Sequence, residues 1–430
     1  MKNITYLDHA ATTPMDKNVL KAMEPYFSKI SANAGSLHQA GRESKKAVVE
    51  ARKSVAKVLN CKAEEIIFTG SGTESDNMAI LGVARAFLLG LGNRIFSAAQ
   101  PVFPDPFASK KFIPSSSPSL LAARVIVSNI EHHAVLFPAE QLEKEGFKLD
   151  LLKVNSDGLV APDDLRKLIT DETILISVMY ANNEIGTIQP VAEIGKIIKE
   201  IKEDRQKRGI NTPIYFHTDA CQSAGYLDLD VQKLGVDLLT LNGSKIYGPK
   251  GTGVLYVRIG TKIEPLVFGG GQENGKRSGT ENLPGIVGLA KALEVSQKKR
   301  KSEFSRETKL RNYFIKKVLQ AIPKVVLNGS SDKRLPNNIN VSILDVEGEA
   351  MLLWLDKHGI CVSTGSACDS QSLEPSHVIL ALGRPYEYAN GNLRFTLGRS
   401  TTKKDLDCVL KVLPKIVGDL RKISPVNVKI

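Results

Sequence analysis

Between residues 61 and 260, short apolar runs alternate with longer stretches in which apolar positions recur every three or four residues. Ile66-Ile67-Phe68, Val125-Ile126-Val127, Ile174-Leu175-Ile176-Ser177-Val178, Ile214-Tyr215-Phe216 and Val236-Asp237-Leu238-Leu239 predict strands. The intervening segments, Val191 to Lys207 among them, have the period and length of helices. Such alternation predicts an α/β fold with a largely parallel central sheet covered by helices. Beyond residue 298 the pattern changes. A highly charged helical stretch from Gln297 to Lys317 leads to an apolar strand, Asn338 to Ile343, and a final helix near Lys404 to Val417. These elements predict a smaller α+β domain. The expected division is a large domain over residues 15–300 and a small one built from residues 1–14 and 301–430.

One region breaks the pattern. Residues 93–122 hold Pro101, Pro104, Pro106, Pro114 and Pro118 around Ser115-Ser116-Ser117, a composition that excludes a regular helix or a central strand. It reads as a surface insertion, either a plain one or one whose Phe103, Phe107 and Phe112 meet a partner.

Composition narrows the class. With 42% hydrophobic and 24% charged residues, the 430-residue chain is an ordinary globular one, and no run approaches the roughly 18 apolar residues of a membrane span. The first residues lack the apolar core of a signal peptide and reach Asp8 quickly, which points to the cytoplasm. Five cysteines, widely spaced and without a C-x-x-C pair, indicate neither a disulfide framework nor a zinc site. The net charge of +12 is scattered and accompanied by no RNA-binding signature, so no direct nucleic-acid partner is expected.

Three loops that leave predicted strands carry candidate chemistry. Gly70-Ser71-Gly72-Thr73-Glu74-Ser75-Asp76-Asn77 joins a strand to a helix, and glycines with free helix N–H groups make an anion cradle. Taken alone, such a turn is more often a plain connection. It matches neither a Walker A loop nor G-x-G-x-x-G, which speaks against nucleotides. Asp219, in Asp219-Ala220-Cys221-Gln222, can pair with a protonated pyridine nitrogen, although a lone aspartate there is more often a helix cap. Lys245 follows the strand from Val236 and is placed to form a Schiff base with a cofactor aldehyde. Lys250 is its rival, deeper in the Gly-Pro-Lys-Gly turn. In open α/β sheets ligands gather beyond the carboxyl ends of strands, where all three loops begin.

These loops, with Thr5 to Pro14, Glu131-His132, Asn182-Asn183-Glu184-Ile185-Gly186, Arg277-Ser278-Gly279-Thr280, Gly365-Ser366-Ala367-Cys368 and Arg394 to Arg399, resemble the cysteine desulfurases of the NifS/IscS type. The resemblance covers nearly the whole chain except the insertion. It implies the fold type I architecture of pyridoxal 5'-phosphate enzymes, a homodimer and L-cysteine as substrate. Lys245 would be the Schiff-base lysine, Asp219 the pyridinium partner and His132, rather than its neighbour His133, the imidazole stacked on the ring. Gly72 and Thr73 would hold the phosphate, with Thr280 reaching it from the other subunit. Gln222 would contact the ring oxygen, Asn183 the substrate, and Arg394 the substrate carboxylate. Two positions depart from the family. Ser244 stands where its members usually have His, and Asn242 where they usually have Ser. Both are still expected to contribute to cofactor binding: a serine hydroxyl can donate to phosphate, so the loss is on the order of one hydrogen bond, about 1 kcal/mol.

Cys368 lies in a run of small residues, Ser363-Thr364-Gly365-Ser366-Ala367-Cys368, with almost no side chain able to anchor it in a core. Cys361 fits the commoner description of a buried, inert thiol. The loop resembles that of the group whose Cys carries sulfur to an acceptor protein, such as an iron–sulfur scaffold or a tRNA-thiolation protein. Catalysis is assigned to Lys245, Cys368 and His132, the last assisting proton transfer from the substrate thiol. No firm metal site is expected, and transient ligation of iron by Cys368 stays open. Competing readings are a selenocysteine lyase, a class V aminotransferase, which would leave Cys368 without a role, and a non-catalytic assembly subunit.

Overall fold

A computed structural model describes residues 4–97, 123–365 and 375–424. Most of the proline-rich insertion, including Phe103, Phe107 and Phe112, and the segment carrying Cys368 lie outside the described residues. A short strand, β1 (Thr5–Tyr6), opens the chain. Seven more follow: β2 (Ile66–Thr69), β3 (Arg124–Ser128), β4 (Lys148–Leu152), β5 (Thr173–Ser177), β6 (Tyr215–Asp219), β7 (Leu238–Asn242) and β8 (Gly253–Val257). They form one sheet in the order β2-β8-β7-β6-β5-β3-β4. The central pairs are parallel, while β8 runs antiparallel to both β7 and β2. Strand β2 therefore points the same way as β7.

Strands β2, β5, β7 and β8 are mostly apolar because both faces are covered. Ile66, Phe68, Leu239, Leu241, Val254 and Tyr256 pack on one side, against the helices Gln39–Leu59, Val191–Lys207 and the start of Leu283–Ala321. Ile67, Val125, Val127, Leu238 and Leu255 pack on the other, against the helices Gly72–Ser97 and His133–Lys144. Helix Val191–Lys207 inserts Ile194, Ile197 and Ile198, the i, i+3, i+4 spacing of a single helix face.

Several boundaries differ from the sequence expectation: the helix expected from Gln297 begins at Leu283 and the final helix runs to Ile423, and two other differences have a local cause. Strand β7 begins at Leu238 rather than Val236, because Asp237 turns its carboxylate onto the N–H of Phe216 at 2.8 Å and the ammonium of Lys202 at 2.7 Å. The helix from Gly72 continues to Ser97, past the expected start of the insertion, because no proline occurs before Pro101.

A second core surrounds β9 (Val325–Leu327), β10 (Asn338–Ile343), β11 (Ile360–Cys361) and β12 (Asn392–Thr396). Strand β10 lies between β9 and β12, antiparallel to both, and β1 returns from the N-terminus to pair in parallel with β11. Residue 300 falls inside one continuous 39-residue helix, Leu283–Ala321. Its Leu283, Ile286, Leu289 and Leu293 join the first core, and its Phe314 and Val318 join the second. Among the described residues, no helix is long and apolar enough to cross a membrane.

Candidate active site

Strands β2, β3, β5, β6 and β7 all end at one edge of the sheet, so the loops that follow them meet there. Gly72, Thr73, Asp76, His132, Asn183, Asp219, Cys221, Gln222, Asn242, Lys245 and Arg394 line one cavity, closed on one side by Ala10 and Ala11.

Each side chain is held by its own segment of the chain. Lys245 ends a short turn after β7 and donates from Nζ to the carbonyls of Ala10 at 2.8 Å and Ala11 at 2.6 Å. Gln222 donates to the same Ala10 carbonyl at 3.1 Å. Asp219 is the last residue of β6, and its Oδ1 accepts from the N–H of Cys221 at 2.8 Å. His132 caps the helix His133–Lys144, its Nδ1 accepting from the N–H of Ala134 at 3.1 Å. That bond leaves the proton of a neutral ring on Nε2. Arg394, on β12, is only 2% exposed. Its Nη2 pairs with Asp8 Oδ1 at 3.0 Å and its Nη1 donates to the Asn183 carbonyl at 3.0 Å, while Nε makes no hydrogen bond.

The cavity floor is rich in buried acids. Burial, and then the neighbouring Asp219 carboxylate, push the Asp76 carboxyl well above its usual range. Its Oδ1 stands 3.6 Å from His217 Nε2 and makes no hydrogen bond. Burial lowers His217 to about 3, so this contact is not an ion pair. Burial likewise raises Glu131 to about 8, despite hydrogen bonds from Ser128 Oγ at 2.5 Å and the Met179 N–H at 2.7 Å. The Cys221 thiol is also pushed up, first by burial and then by Asp219.

The rivals His133 and Lys250, and some other candidates, are not among the lining residues. His133 stacks on Phe137, with ring centroids 4.6 Å apart, and not on the cavity. Lys250 is exposed. Ser244 is outside the lining, and its hydroxyl donates to Asn242 Oδ1 at 3.0 Å. Thr280 is exposed and away from this chain's cavity. Cys368 lies outside the described residues. The stems of its loop are described: Ser363 exchanges backbone hydrogen bonds with Arg394, and Ser376 Oγ donates to the buried Glu184 at 2.5 Å. Among the described residues, no cluster of His, Cys, Asp or Glu could hold a metal ion.

Sequence reasoning did not single out Asp76, Cys221 or the Ala10 and Ala11 carbonyls. A signal existed for two of them. Asp76 is four residues after Gly72 and so shares its helix face, and Cys221 follows Asp219 by two.

The donor set fits pyridoxal 5'-phosphate. A Cβ on Gly72 would lie 2.9 Å from Cys221 Sγ, so the mouth of the cradle stays open only with glycine there. The remaining parts are an amine, a buried carboxylate near the end of a strand and a guanidinium with an unpartnered N–H.

The class V aminotransferase family matches residues 5–99 and 119–409. The chain is similar to the cysteine desulfurase IscS of Dictyoglomus turgidum, at 49% identity over 425 residues, which cover 99% of this chain and 97% of that one. The cysteine desulfurase IscS of Methanosarcina thermophila is 46% identical over 424 residues, covering 99% and 94%. Among solved structures, a NifS-like protein superposes with a TM-score of 0.82 at 33% identity, over 97% of this chain and all of that one (100%). SspA in complex with cysteine superposes with a TM-score of 0.71 at 32% identity, over 91% and 98%.

Proposed function

Since the chain belongs to the class V aminotransferase family, and within it to the pyridoxal-phosphate-dependent cysteine desulfurases, we propose that Lys245 and Cys368 carry the reaction from L-cysteine to L-alanine. The observation that supports this best is the convergence of Lys245, Asp219, His132 and Arg394 on one cavity.

In this reading Gly72 and Thr73 receive the phosphate at the start of their helix, Asp219 pairs with the ring nitrogen, His132 lies against the ring and Gln222 meets its oxygen. Asn242 shapes the floor, and Ser244 steadies Asn242. The cofactor supplies an aldehyde for the substrate amine and a ring that accepts the electron pair left at Cα. Arg394 and Asn183 orient the substrate by its carboxylate. Lys245 Nζ takes the Cα proton, and His132 assists proton transfer from the substrate thiol once its Nδ1 lets go of the Ala134 N–H. The Cys368 thiolate attacks the substrate sulfur: an S–S bond forms, the Cβ–S bond breaks and Cβ gains a proton. Cysteine plus thiol thus becomes alanine plus persulfide, with no outside oxidant.

The site is completed in a homodimer, with Thr280 of each copy reaching the phosphate held by the other. The persulfide passes to an acceptor protein, such as an iron–sulfur scaffold or a tRNA-thiolation protein.

Alanine release from L-cysteine under reducing conditions tests this reading. The parent releases alanine, Lys245→Ala releases none, and Cys368→Ser keeps its cofactor but forms no persulfide. Persulfide transfer by Cys368→Ser would refute the assignment of the sulfur carrier.

A further inference from the structure

Among the described residues, strand β2 is an edge of the sheet, paired only with β8, and it leads directly into the cradle at residues 70–73. An edge strand has backbone groups with no neighbouring strand to meet them. Here side chains meet them at alternate residues, the period of a strand. The Ile66 carbonyl accepts from Arg52 Nη1 at 2.5 Å. The Phe68 N–H donates to Glu273 Oε2 at 3.0 Å, and the Gly70 N–H to Glu74 Oε2 at 2.8 Å.

Both carboxylates are paired. Arg52 grips Glu273 with two bonds, of 2.7 and 2.6 Å, and the Glu273 side chain is only 3% exposed. Arg277 Nε meets Glu74 Oε1 at 2.8 Å. Glu273 and Arg277 come from the same loop, so one loop lays an acid and a base along the edge that ends in the cradle. The loop is strained to do so. Glu273 (φ 49°, ψ 39°) and Asn274 (φ 56°, ψ 38°) are in the left-handed region, a cost of about 1–3 kcal/mol each that persists only where surrounding contacts impose it. Gly70 has no side chain to obstruct the arrangement, since a Cβ there would lie 2.8 Å from Glu74 Oε2.

The charges give the arrangement its meaning. Glu74 sits in the first turn of the helix whose Gly72 and Thr73 line the cavity. A bare carboxylate at that position would oppose a bound anion, and Arg277 balances it. We propose that Arg277 and Glu74, backed by Arg52 and Glu273, form a charge-balanced clamp on β2 that shapes the cradle for the cofactor phosphate. They are positioning residues, and the proposal rests on the reading that Gly72 and Thr73 receive that phosphate.

The test compares two ligands on the full chain freed of cofactor: pyridoxal 5'-phosphate and pyridoxal, which carries the same aldehyde without the phosphate. Dissociation constants are read from the absorption change on binding. The parent prefers the phosphorylated form. Arg277→Ala leaves Glu74 unopposed, and its affinity for pyridoxal 5'-phosphate falls about tenfold, the scale of a partly exposed charge pair at a helix start. Its affinity for pyridoxal stays near that of the parent. Adding Glu74→Gln removes the bare charge and restores most of the loss, while Arg277→Lys keeps the charge and stays near the parent. Equal losses for both ligands, an unchanged preference in Arg277→Ala, or no recovery in the double variant would overturn the clamp. A parent that binds both ligands alike would remove the phosphate reading itself, and the clamp with it.

Discussion

Replacing Gly72 with alanine tests the cradle by sterics alone. The added Cβ would stand 2.9 Å from Cys221 Sγ and 3.3 Å from both Cβ and Nδ2 of Asn242. Neither neighbour can retreat at no cost. The Cys221 backbone N–H is tied to Asp219 Oδ1 at 2.8 Å, and Asn242 Oδ1 accepts both the N–H and the hydroxyl of Ser244 at 3.0 Å. Overpacking of this kind costs about 1–3 kcal/mol. Expressed in binding, that is a loss of roughly 5- to 150-fold in affinity for pyridoxal 5'-phosphate, at about 1.4 kcal/mol per factor of ten. Titration of the cofactor-free protein measures it. The partner substitution Cys221→Ala removes the sulfur and leaves only the two looser contacts, so the double variant should recover the larger part of the loss. If Gly72→Ala binds cofactor as tightly as the parent, or if the double variant binds no better than the single one, the cradle is not closed by these contacts and the steric argument fails.

Three further outcomes follow from the geometry. Burial raises Glu131 in the folded state to about 8 from its ordinary 4.5, so the stability its buried neutral form contributes is full below pH 4.5 and is lost as pH rises through 8. At 1.36 kcal/mol per unit, the parent should lose on the order of 2 kcal/mol between pH 6 and 8, and Glu131→Gln should lose much less. Urea midpoints at the two pH values check this, and parallel declines would contradict it. Arg394→Lys replaces a planar fork, which contacts Asp8 and the Asn183 carbonyl, with a single ammonium. It should raise KM for L-cysteine about tenfold or more with a smaller change in kcat, and an unchanged KM would remove Arg394 from substrate binding. Phe314→Ala empties the second core, where the ring packs edge-on to Phe395 with centroids 5.1 Å apart. Urea unfolding should register a loss of about 3–5 kcal/mol, and a loss below about 1 kcal/mol would mean the core collapses around the gap.

The order of strands and helices was legible because each is written locally. Helix Val191–Lys207 and strand β10 appear with the bounds read from their apolar periods, since their buried faces repeat within a few residues. Strands β4 and β8 were not predicted. Four of the five residues of β4, Lys148, Leu149, Asp150 and Leu151, are exposed or only half-buried. Strand β8, though apolar, follows the Gly-Pro-Lys-Gly turn without a preceding helix and so did not fit the alternation that signalled the rest. Its antiparallel course is a property of the assembled sheet.

The chain by itself determined the chemistry on offer: a lysine after a strand, an aspartate at the end of another and a glycine-rich turn before a helix. Backbone geometry and side-chain type decide these over a few residues. Only the tertiary structure decided which groups share a cavity. Arg394 meets the Asn183 carbonyl across 211 positions of sequence, and Lys245 meets the Ala10 carbonyl across 235. It also decided that Glu273 and Arg277 reach the outer edge of β2. An edge exists only once the other strands have taken their places, and spacing along a chain carries no distance between segments that fold back on one another. Packing supplies that distance, because the helices that cross between these parallel strands bring the strand ends, and the loops that leave them, to one side.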